Sequence, residues 1–166
     1  MRPLRLTDYY NGCVLAVTMI VWQLHCSTLF LQLLADLTTV GDVSFEKFEH
    51  QFRAMQSSQP HNYYVIVVED GRTSEIVAAA TLVIELKFIH QAGCRGRVED
   101  VVVLSSRRSL KLGVALNTCL VALAKKLSVY KLSLECKDSL IGFYEKFGYK
   151  VDAGNNFLVQ RFDSKI

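Results

Sequence analysis

Hydrophobic residues that recur with a period of two predict strands in the middle of the chain. Residues 63–69 and 76–86 are rich in β-branched residues and flank the turn sequence Asp70-Gly71-Arg72, which is typical of an antiparallel hairpin. Residues 98–104 contain the continuous run Val101-Val102-Val103, which indicates a strand covered on both faces. Shorter runs predict the remaining strands, at the start of 1–8, over 131–136, at Val151 and over 157–162.

A period of three to four residues predicts helices beside these strands. Ser44 is the expected N-cap of a helix whose apolar stripe, Phe45, Phe48, Phe52 and Met55, is expected in the core. A second helix, over 110–127, has the inner stripe Leu110, Leu112, Leu116 and Leu120, and a third, over 139–147, ends at Gly148. This order predicts an α+β fold, a single domain over 1–166 with a mixed, mostly antiparallel sheet flanked by helices.

Residues 14–34 are apolar on nearly every side, whereas each of the other predicted helices has a single apolar face. The length suits a membrane span, but Gln23, His25 and Gln32 interrupt it and no cleavage site frames it. A buried or partner-facing helix, ending at Gly41, is the favoured alternative, and membrane contact through this stretch stays open.

Composition narrows the class of ligand. The 166 residues carry a net charge of +3, and the basic residues are scattered, which favours an anionic small molecule over nucleic acid. The five cysteines are widely spaced without a C-x-x-C motif, so neither a zinc site nor a disulfide framework is predicted. We therefore expect a reduced, intracellular protein with no metal.

Residues 95–116 form the element around which the rest is organised. The strand leads through Ser105-Ser106-Arg107-Arg108 into a helix start, where free N–H groups and the helix dipole favour phosphate. Glu99 and Asp100 place two carboxylates inside the apolar strand, where burial of charge requires a partner or a function. On the residues alone, an acidic pair that faces solvent or Arg97 is the ordinary interpretation.

The motifs V-E-D-V-V-V, R-x-x-x-x-G, L-E-C and G-F-Y-E-K-F-G-Y, in that order, resemble the GNAT superfamily of acetyl-coenzyme A-dependent N-acetyltransferases. Within it the finer resemblance is to enzymes that acetylate D-glucosamine 6-phosphate. It covers most of the chain from Leu31 onward, through the segments L-T-T-V-G (37–41), K-F-I-H (87–90), R-G-R-V-E-D-V-V-V (95–103), V-Y-K-L-S-L-E-C (129–136), F-Y-E-K-F-G-Y (143–149) and Q-R-F (160–162).

The resemblance implies acetyl-coenzyme A as co-substrate. It implies that the strand backbone pairs with the pantetheine arm, that the following loop wraps the pyrophosphate, and that Tyr144 acts as an acid at the departing thiolate. The implied contacts are Val101, Val102, Val103, Arg108, Ser109, Leu110, Lys111, Leu112, Gly113, Tyr144, Glu145 and Lys146.

The resemblance also implies how the sugar is held. Glu99 and Asp100 would hold the sugar and its amine, Glu135 would add an acidic contact, and Arg161 would clamp the phosphate. Glu99 and Glu135 join Tyr144 as the implied catalytic residues. The implied substrate contacts are Thr38, Lys87, Phe88, Ile89, His90, Glu99, Asp100, Val101, Tyr130, Lys131, Glu135 and Arg161. In that family Tyr130 and Lys131 reach the site of a second subunit, so the resemblance implies a homodimer with shared active sites. We expect the protein to be cytoplasmic, with a peripheral contact to intracellular membranes left open.

Direct attack of the amine on the thioester is the expected mechanism, because no cysteine with a nearby histidine lies in these segments. A different amine acceptor and a non-catalytic paralogue remain alternatives. Three features depart from the family pattern: Lys111 at a glycine position, Leu140 at an asparagine position, and an apolar insert at about 14–30. If the backbone at 111 needs a positive φ, lysine costs ~1 kcal/mol there.

Overall fold

The structure is a computed structural model that describes the backbone of residues 9–10, 13–17 and 24–162, and side chains from residue 27 to residue 162. The strand and helix start predicted over 1–8 lie outside these residues. The strands are β1 (Tyr9–Tyr10), β2 (Cys13–Val17), β3 (Tyr63–Asp70), β4 (Ile76–Leu86), β5 (Cys94–Val103) and β6 (Lys131–Leu134). The helices are α1 (Leu24–Ala35), α2 (Phe45–Gln56), α3 (Ile89–Ala92), α4 (Leu112–Lys126) and α5 (Ile141–Tyr144), with 3-10 turns at Ser105–Leu110, Asp138–Leu140 and Glu145–Phe147.

The six described strands form a single sheet whose order in space is their order in the chain. Neighbouring strands are antiparallel except β5 and β6, which are parallel. A parallel pair needs a crossover connection, and α4 supplies it. The α+β class and the mixed, mostly antiparallel sheet are therefore confirmed.

Each face of the sheet packs against a different helix. Leu112, Leu116 and Leu120 of α4 are buried against one face, as their spacing predicts, together with Leu82 and Val98. On the other face, Leu33 of α1 packs with Val67, Ile76, Ala79 and Val102. The sheet is thus covered on both sides where these helices lie.

The apolar stretch at 14–34 is not one helix. Cys13–Val17 forms β2, paired with β3 from Cys13↔Asp70 to Val17↔Ile66, and α1 begins at Leu24. A continuous apolar run fits a buried strand as well as a helix, so periodicity cannot separate the two. In the described part of the chain, no helix is long and apolar enough to cross a membrane.

Two further predictions about helices need adjustment. The helix that follows the apolar stretch ends at Ala35, well before Gly41. Ser44 does cap α2 and accepts a hydrogen bond from the Lys47 N–H at 3.3 Å. The stripe from Phe45 to Met55 is half-buried rather than core, since no residue of α2 is fully buried.

The chain divides into two compact units, residues 1–135 and residues 136–166. The first contains the whole sheet. In the second, α5 and its flanking 3-10 turns end at Gly148, whose φ of 89° is the left-handed conformation expected of a helix-ending glycine. The closing strands predicted at Val151 and 157–162 are wrong: residues 149–162 form no strand and residues 150–162 are exposed. A strand requires a paired partner, and the described residues of this unit contain none.

Candidate active site

A β-bulge in β5 occupies the centre of the candidate site. Thr81 of β4 pairs with Glu99 and Ala79 pairs with Val102, so that Ala80 faces both Asp100 and Val101. Asp100 has a φ of 51°, a left-handed conformation that aspartate tolerates better than most residues. The extra residue reverses the alternation of side chains along the strand. Val98 faces α4 before the bulge, whereas Val102 faces α1 after it.

The bulge also marks the point where β5 and β6 separate. Their pairing runs from Arg95↔Lys131 to Val98↔Leu134, and no described strand pairs with residues 99–103 on that side. Those backbone groups of residues 101–103 that point away from β4 therefore form an open strand edge. Such an edge can accept an extended ligand as if it were another strand.

The turn after β5 is held in place by two side chains of other elements. The Ser105 N–H donates to the Asp36 carboxylate at 2.8 Å, at the end of α1. Arg107 pairs with Asp70 at 3.2 Å and Glu75 at 3.5 Å, across the β3–β4 connection. Arg107, considered from the sequence as a phosphate ligand, is thus engaged in fixing the turn, while Arg108 is exposed.

Lys111 stands between this turn and α4. Its φ of 57° and ψ of 24° are left-handed, and its carbonyl accepts the N–H groups of Val114 and Ala115. The N–H groups of Leu112 and Gly113 precede these bonds and have no partner within the helix. A helix start with free N–H groups binds phosphate, as the sequence predicts for 108–113.

Three charged side chains project from β5 and the end of β6 on the face opposite α4. Arg97 donates through Nε to Glu99 and through Nη2 to Glu135. The hydrogen bond to Glu99, with added attraction from Glu99 and Glu135, raises the pKa of Arg97 despite opposing burial. Glu99 and Glu135, both predicted to contact the amine, are therefore held together by a residue that the prediction did not include.

Asp100 lies beside this group. Although water reaches it, the surrounding protein raises its pKa by burial, and the neighbouring Glu99 carboxylate adds to the rise. The site thus concentrates negative charge at one end of the polar face.

The other end of the same face is cationic. Lys87 and Arg95 both donate to Glu85, at 2.6 and 3.2 Å. The bond from Lys87, assisted by Arg95, holds the pKa of Glu85 below its usual value. Lys131 is exposed and pairs in register with Arg95, so a third cation lies on the strand next to the two that share Glu85.

The loop after β4 joins this cationic end. The His90 ring lies 4.1 Å from the Tyr130 ring, so the predicted K-F-I-H loop and the predicted Tyr130-Lys131 pair meet within one chain. His90, Gln91 and Ala92 all have positive φ, between 52° and 59°. Phe88 and Ile89 extend into solvent.

In the second unit, Tyr144 is buried among aromatic rings. Phe143 lies 5.0 Å and Tyr149 lies 5.8 Å from it, centroid to centroid. Burial raises the pKa of Tyr144, with Cys136 contributing, and burial raises that of Tyr149 to about 12. The other predicted residues of this unit, Glu145, Lys146 and Arg161, are exposed.

The structure brings the predicted residues of the first unit together as two groups. One contains Glu99, Asp100, Val101 and Glu135, and the other contains Lys87, His90, Tyr130 and Lys131. Thr38 is exposed just after α1, and its backbone N–H bonds to Leu34. Arg95 and Arg97 are not among the predicted site residues, although their alternation with Glu99 in β5 places all three on one face. The ordinary interpretation of the acidic pair, that it faces Arg97, holds for Glu99, which accepts a hydrogen bond from Arg97. No three His, Cys, Asp or Glu side chains are grouped as metal ligands in the described residues.

The fold is a mixed sheet in which an open strand edge leads into a helix start, and comparison with known proteins identifies the family that has it. A model of the acetyltransferase (GNAT) family matches residues 27–149, and the chain belongs to this family. It is similar to a probable glucosamine 6-phosphate N-acetyltransferase of Drosophila melanogaster, with 44% identity over 98% of this chain and 66% of that protein. The glucosamine 6-phosphate N-acetyltransferase of Candida albicans is 36% identical over 90% of this chain and 87% of that one.

A solved structure shows the same similarity. The crystal structure of glucosamine-6-phosphate N-acetyltransferase from Arabidopsis thaliana superposes with a TM-score of 0.79 at 27% identity, covering 91% of this chain and 98% of that chain. The chain spans just under two thirds of the Drosophila relative's length and most of the Arabidopsis structure.

Proposed function

We propose that this protein transfers the acetyl group of acetyl-coenzyme A to the amine of D-glucosamine 6-phosphate. The products are N-acetyl-D-glucosamine 6-phosphate and coenzyme A. The observation that carries the proposal is the charge layout of one sheet face, with carboxylates at the β5 bulge and cations at the start of β5 and β6. Family membership and the named relatives support the same activity.

The charge layout suits an acceptor with a cation at one end and an anion at the other. Glu99, Asp100 and Glu135 attract the ammonium group, and Lys87 attracts the phosphate. In a dimer with shared sites, Lys131 from the second subunit adds to the attraction of the phosphate. Arg95 and Glu99 are four positions apart in β5, roughly 13 Å along an extended strand. An amino sugar phosphate therefore binds in one direction, with its amine at the bulge. Thr38, Phe88, Ile89, His90, Tyr130 and Arg161 complete the proposed substrate contacts.

Acetyl-coenzyme A is proposed to lie along the open edge of β5. In Val101, Val102 and Val103, the backbone groups that point away from β4 are proposed to bond the pantetheine arm. Residues 108–113 are proposed to hold the pyrophosphate at the start of α4, where the Leu112 and Gly113 N–H groups have no partner within the helix. Glu145 and Lys146 are the remaining proposed contacts. The bulge thus places the carboxylates next to the proposed thioester position, where the amine has to arrive.

The proposed chemistry is direct transfer. The ammonium group loses one proton to the carboxylates of Glu99 and Glu135, and its nitrogen then bonds to the acetyl carbon. As the carbon–sulfur bond breaks, the same carboxylates accept the second proton from that nitrogen, which leaves the neutral amide. Tyr144 donates the proton that the thiolate takes up. Its raised pKa keeps the phenol protonated at neutral pH, as a proton donor requires. Positioning of both substrates supplies most of the rate.

Release of the coenzyme A thiol, followed with a series of acceptors, tests the proposal. Glucosamine 6-phosphate should support rapid release, and glucosamine, which lacks the phosphate, should show a much higher KM. Glucose 6-phosphate, which lacks the amine, should give no release and should compete with the substrate. Faster turnover with spermidine or a lysine peptide would establish a different acceptor. Acetyl-coenzyme A binding without release for any acceptor would establish a non-catalytic protein.

We propose further that the working form is a cytoplasmic homodimer whose sites are shared between subunits. The end of the sheet near the substrate loop exposes Leu86, Phe88 and Ile89, and exposed apolar side chains this close together favour a protein contact. The single domain over 1–166, with residues 14–30 as an apolar insert, likewise stays a proposal.

A further inference from the structure

We infer that Arg97 is a positioning residue that holds the side chains of Glu99 and Glu135 side by side and orients them toward the acceptor amine. The inference rests on the proposed function, because it assigns Arg97 a role through these two carboxylates. No substrate contact of Arg97 itself is required. The observation behind it is a single guanidinium on β5 that donates both to Glu99, on the same strand, and to Glu135, just beyond the end of β6.

The backbone explains why the three side chains meet. Arg97 and Glu99 are two residues apart in β5, so both project from the same face. Arg97 pairs in register with Ser133 and Val98 with Leu134, which places Glu135 directly beyond the last pair, next to Glu99. Two carboxylates on adjacent strands would repel each other, and Arg97 offsets that repulsion.

The surrounding charges do not replace Arg97. Asp100 at the bulge and Glu85 on β4 add negative charge, while Arg95 and Lys131 supply positive charge at the opposite end. Arg95 is already paired with Glu85. The group formed by Arg97, Glu99 and Glu135 carries a net charge of −1, which suits binding of one ammonium group.

A purely structural role for Arg97 explains the arrangement less well. The side chains of Arg97, Glu99 and Glu135 are 32%, 37% and 40% exposed, and ion pairs this accessible to water contribute little to folding. Neither of the two buried core clusters, one against α4 and one against α1, includes these three residues. The cluster is therefore placed where a ligand can reach it and where folding gains little from it.

The pH dependence of kcat/KM for glucosamine 6-phosphate tests the inference. Arg97→Gln removes the positive charge that contacts both carboxylates, so the acid side of the pH profile (the acid limb) should move to higher pH. kcat/KM at neutral pH should fall at least about tenfold, mostly through KM for the sugar. Arg97→Lys, which keeps the charge but not the two-pronged geometry, should restore the limb and only part of the activity.

Arg53→Gln is the matched control. Arg53 also donates twice to a glutamate, Glu49, but on the exposed side of α2, and its loss should change neither activity nor the pH profile. An Arg97→Gln protein that keeps the normal acid limb would overturn the inference. So would a loss of activity that matches a loss of thermal stability and that Arg97→Lys does not relieve.

A second variant covers the case in which Arg97→Gln does not fold. Glu135→Gln leaves Arg97 to neutralise Glu99 alone, and the acid limb should then move to lower pH. An unmoved limb overturns the inference. Failure of the proposed function is a separate result, because the unsubstituted protein would then show no acceptor-dependent thiol release at any pH.

Discussion

Lys111 carries a side chain in a backbone conformation that favours glycine. Its φ of 57° brings the Cβ close to the following carbonyl, a strain of roughly 1–2 kcal/mol. Lys111→Gly removes the strain but makes the unfolded chain more flexible, so the expected net gain is about 0.5–1 kcal/mol in the free energy of unfolding. Urea unfolding measures it. Lys111→Ala, which removes the same charge but keeps the Cβ, should gain nothing; equal stability of the two variants would contradict the prediction.

Asp100 should make stability depend on pH. Burial, with Glu99 second, raises its pKa above the ordinary value of about 3.9, so the folded protein binds this proton more tightly than the unfolded chain. The cost of the carboxylate therefore grows as pH rises from the ordinary value through the raised one. Asp100→Asn, which also tolerates a positive φ, should be more stable than the unsubstituted protein at pH 7, and the difference should shrink as pH falls toward 4.

The control for this titration is Asp152→Asn, which removes the same charge from an exposed position in the second unit. Thermal unfolding midpoints across the pH range provide the measurement. A stability gain for Asp100→Asn that is equal at pH 4 and pH 7, or that Asp152→Asn reproduces, would exclude the burial of Asp100 as its cause. Acetyl transfer should fall in Asp100→Asn, because its carboxylate is a proposed contact of the amine.

At the scale of helices and strands, the sequence correctly predicted the features that depend on residues close together in the chain. The Leu112, Leu116 and Leu120 stripe, the Ser44 cap and the β3–β4 hairpin follow from periodicity and turn chemistry and are present. The order of the motifs in the sequence singled out Glu99, Asp100 and Glu135, which the structure groups at the β5 bulge.

The features that the sequence did not predict depend on the pairing of strands and side chains that are far apart in the chain. The bulge at Asp100 depends on the register of β5 against β4, and the contact of Arg97 with Glu135 depends on the register of β6. The ties of Arg107 to Asp70 and of Asp36 to Ser105 join elements far apart in the chain. No local periodicity encodes such contacts. The strand β2 was mistaken for a helix for the same reason, because its partner is β3.

The place of β2 in the sheet leads to a prediction about the apolar stretch. Val14 pairs with Tyr9 on one side and with Glu69 on the other, so its backbone groups face a neighbouring strand whichever way they point. Val14→Pro removes the N–H and should cost roughly 1–3 kcal/mol of unfolding free energy, whereas Val14→Thr keeps the amide and should cost less. Deletion of residues 14–30 should abolish folding and activity. A deletion protein that is more soluble and more active would instead show that this segment is foreign to the fold.

At the scale of the whole molecule, a mixing experiment tests whether the proposed sites are shared. Tyr144→Phe removes the proposed acid, and Lys131→Ala removes a cation implied to serve the partner's site; each homodimer should be nearly inactive. After unfolding and refolding together, half of the dimers are mixed. If Tyr144 and Lys131 of one site come from different subunits, each mixed dimer contains one site with both lesions and one intact site. Activity should then recover to about a quarter of that of the unsubstituted protein.

The contact between His90 and Tyr130 within one chain makes this outcome informative. If Lys131 serves the site of its own chain, every site in the mixed dimer carries one lesion and no activity returns. Recovery is a ratio within one preparation, so differences in yield between variants do not affect it. A mixture of Tyr144→Phe with Asp152→Asn, which carries no lesion in the proposed site, sets the upper limit. If no activity returns although sedimentation shows a dimer, the protein is a dimer whose sites are not shared between subunits.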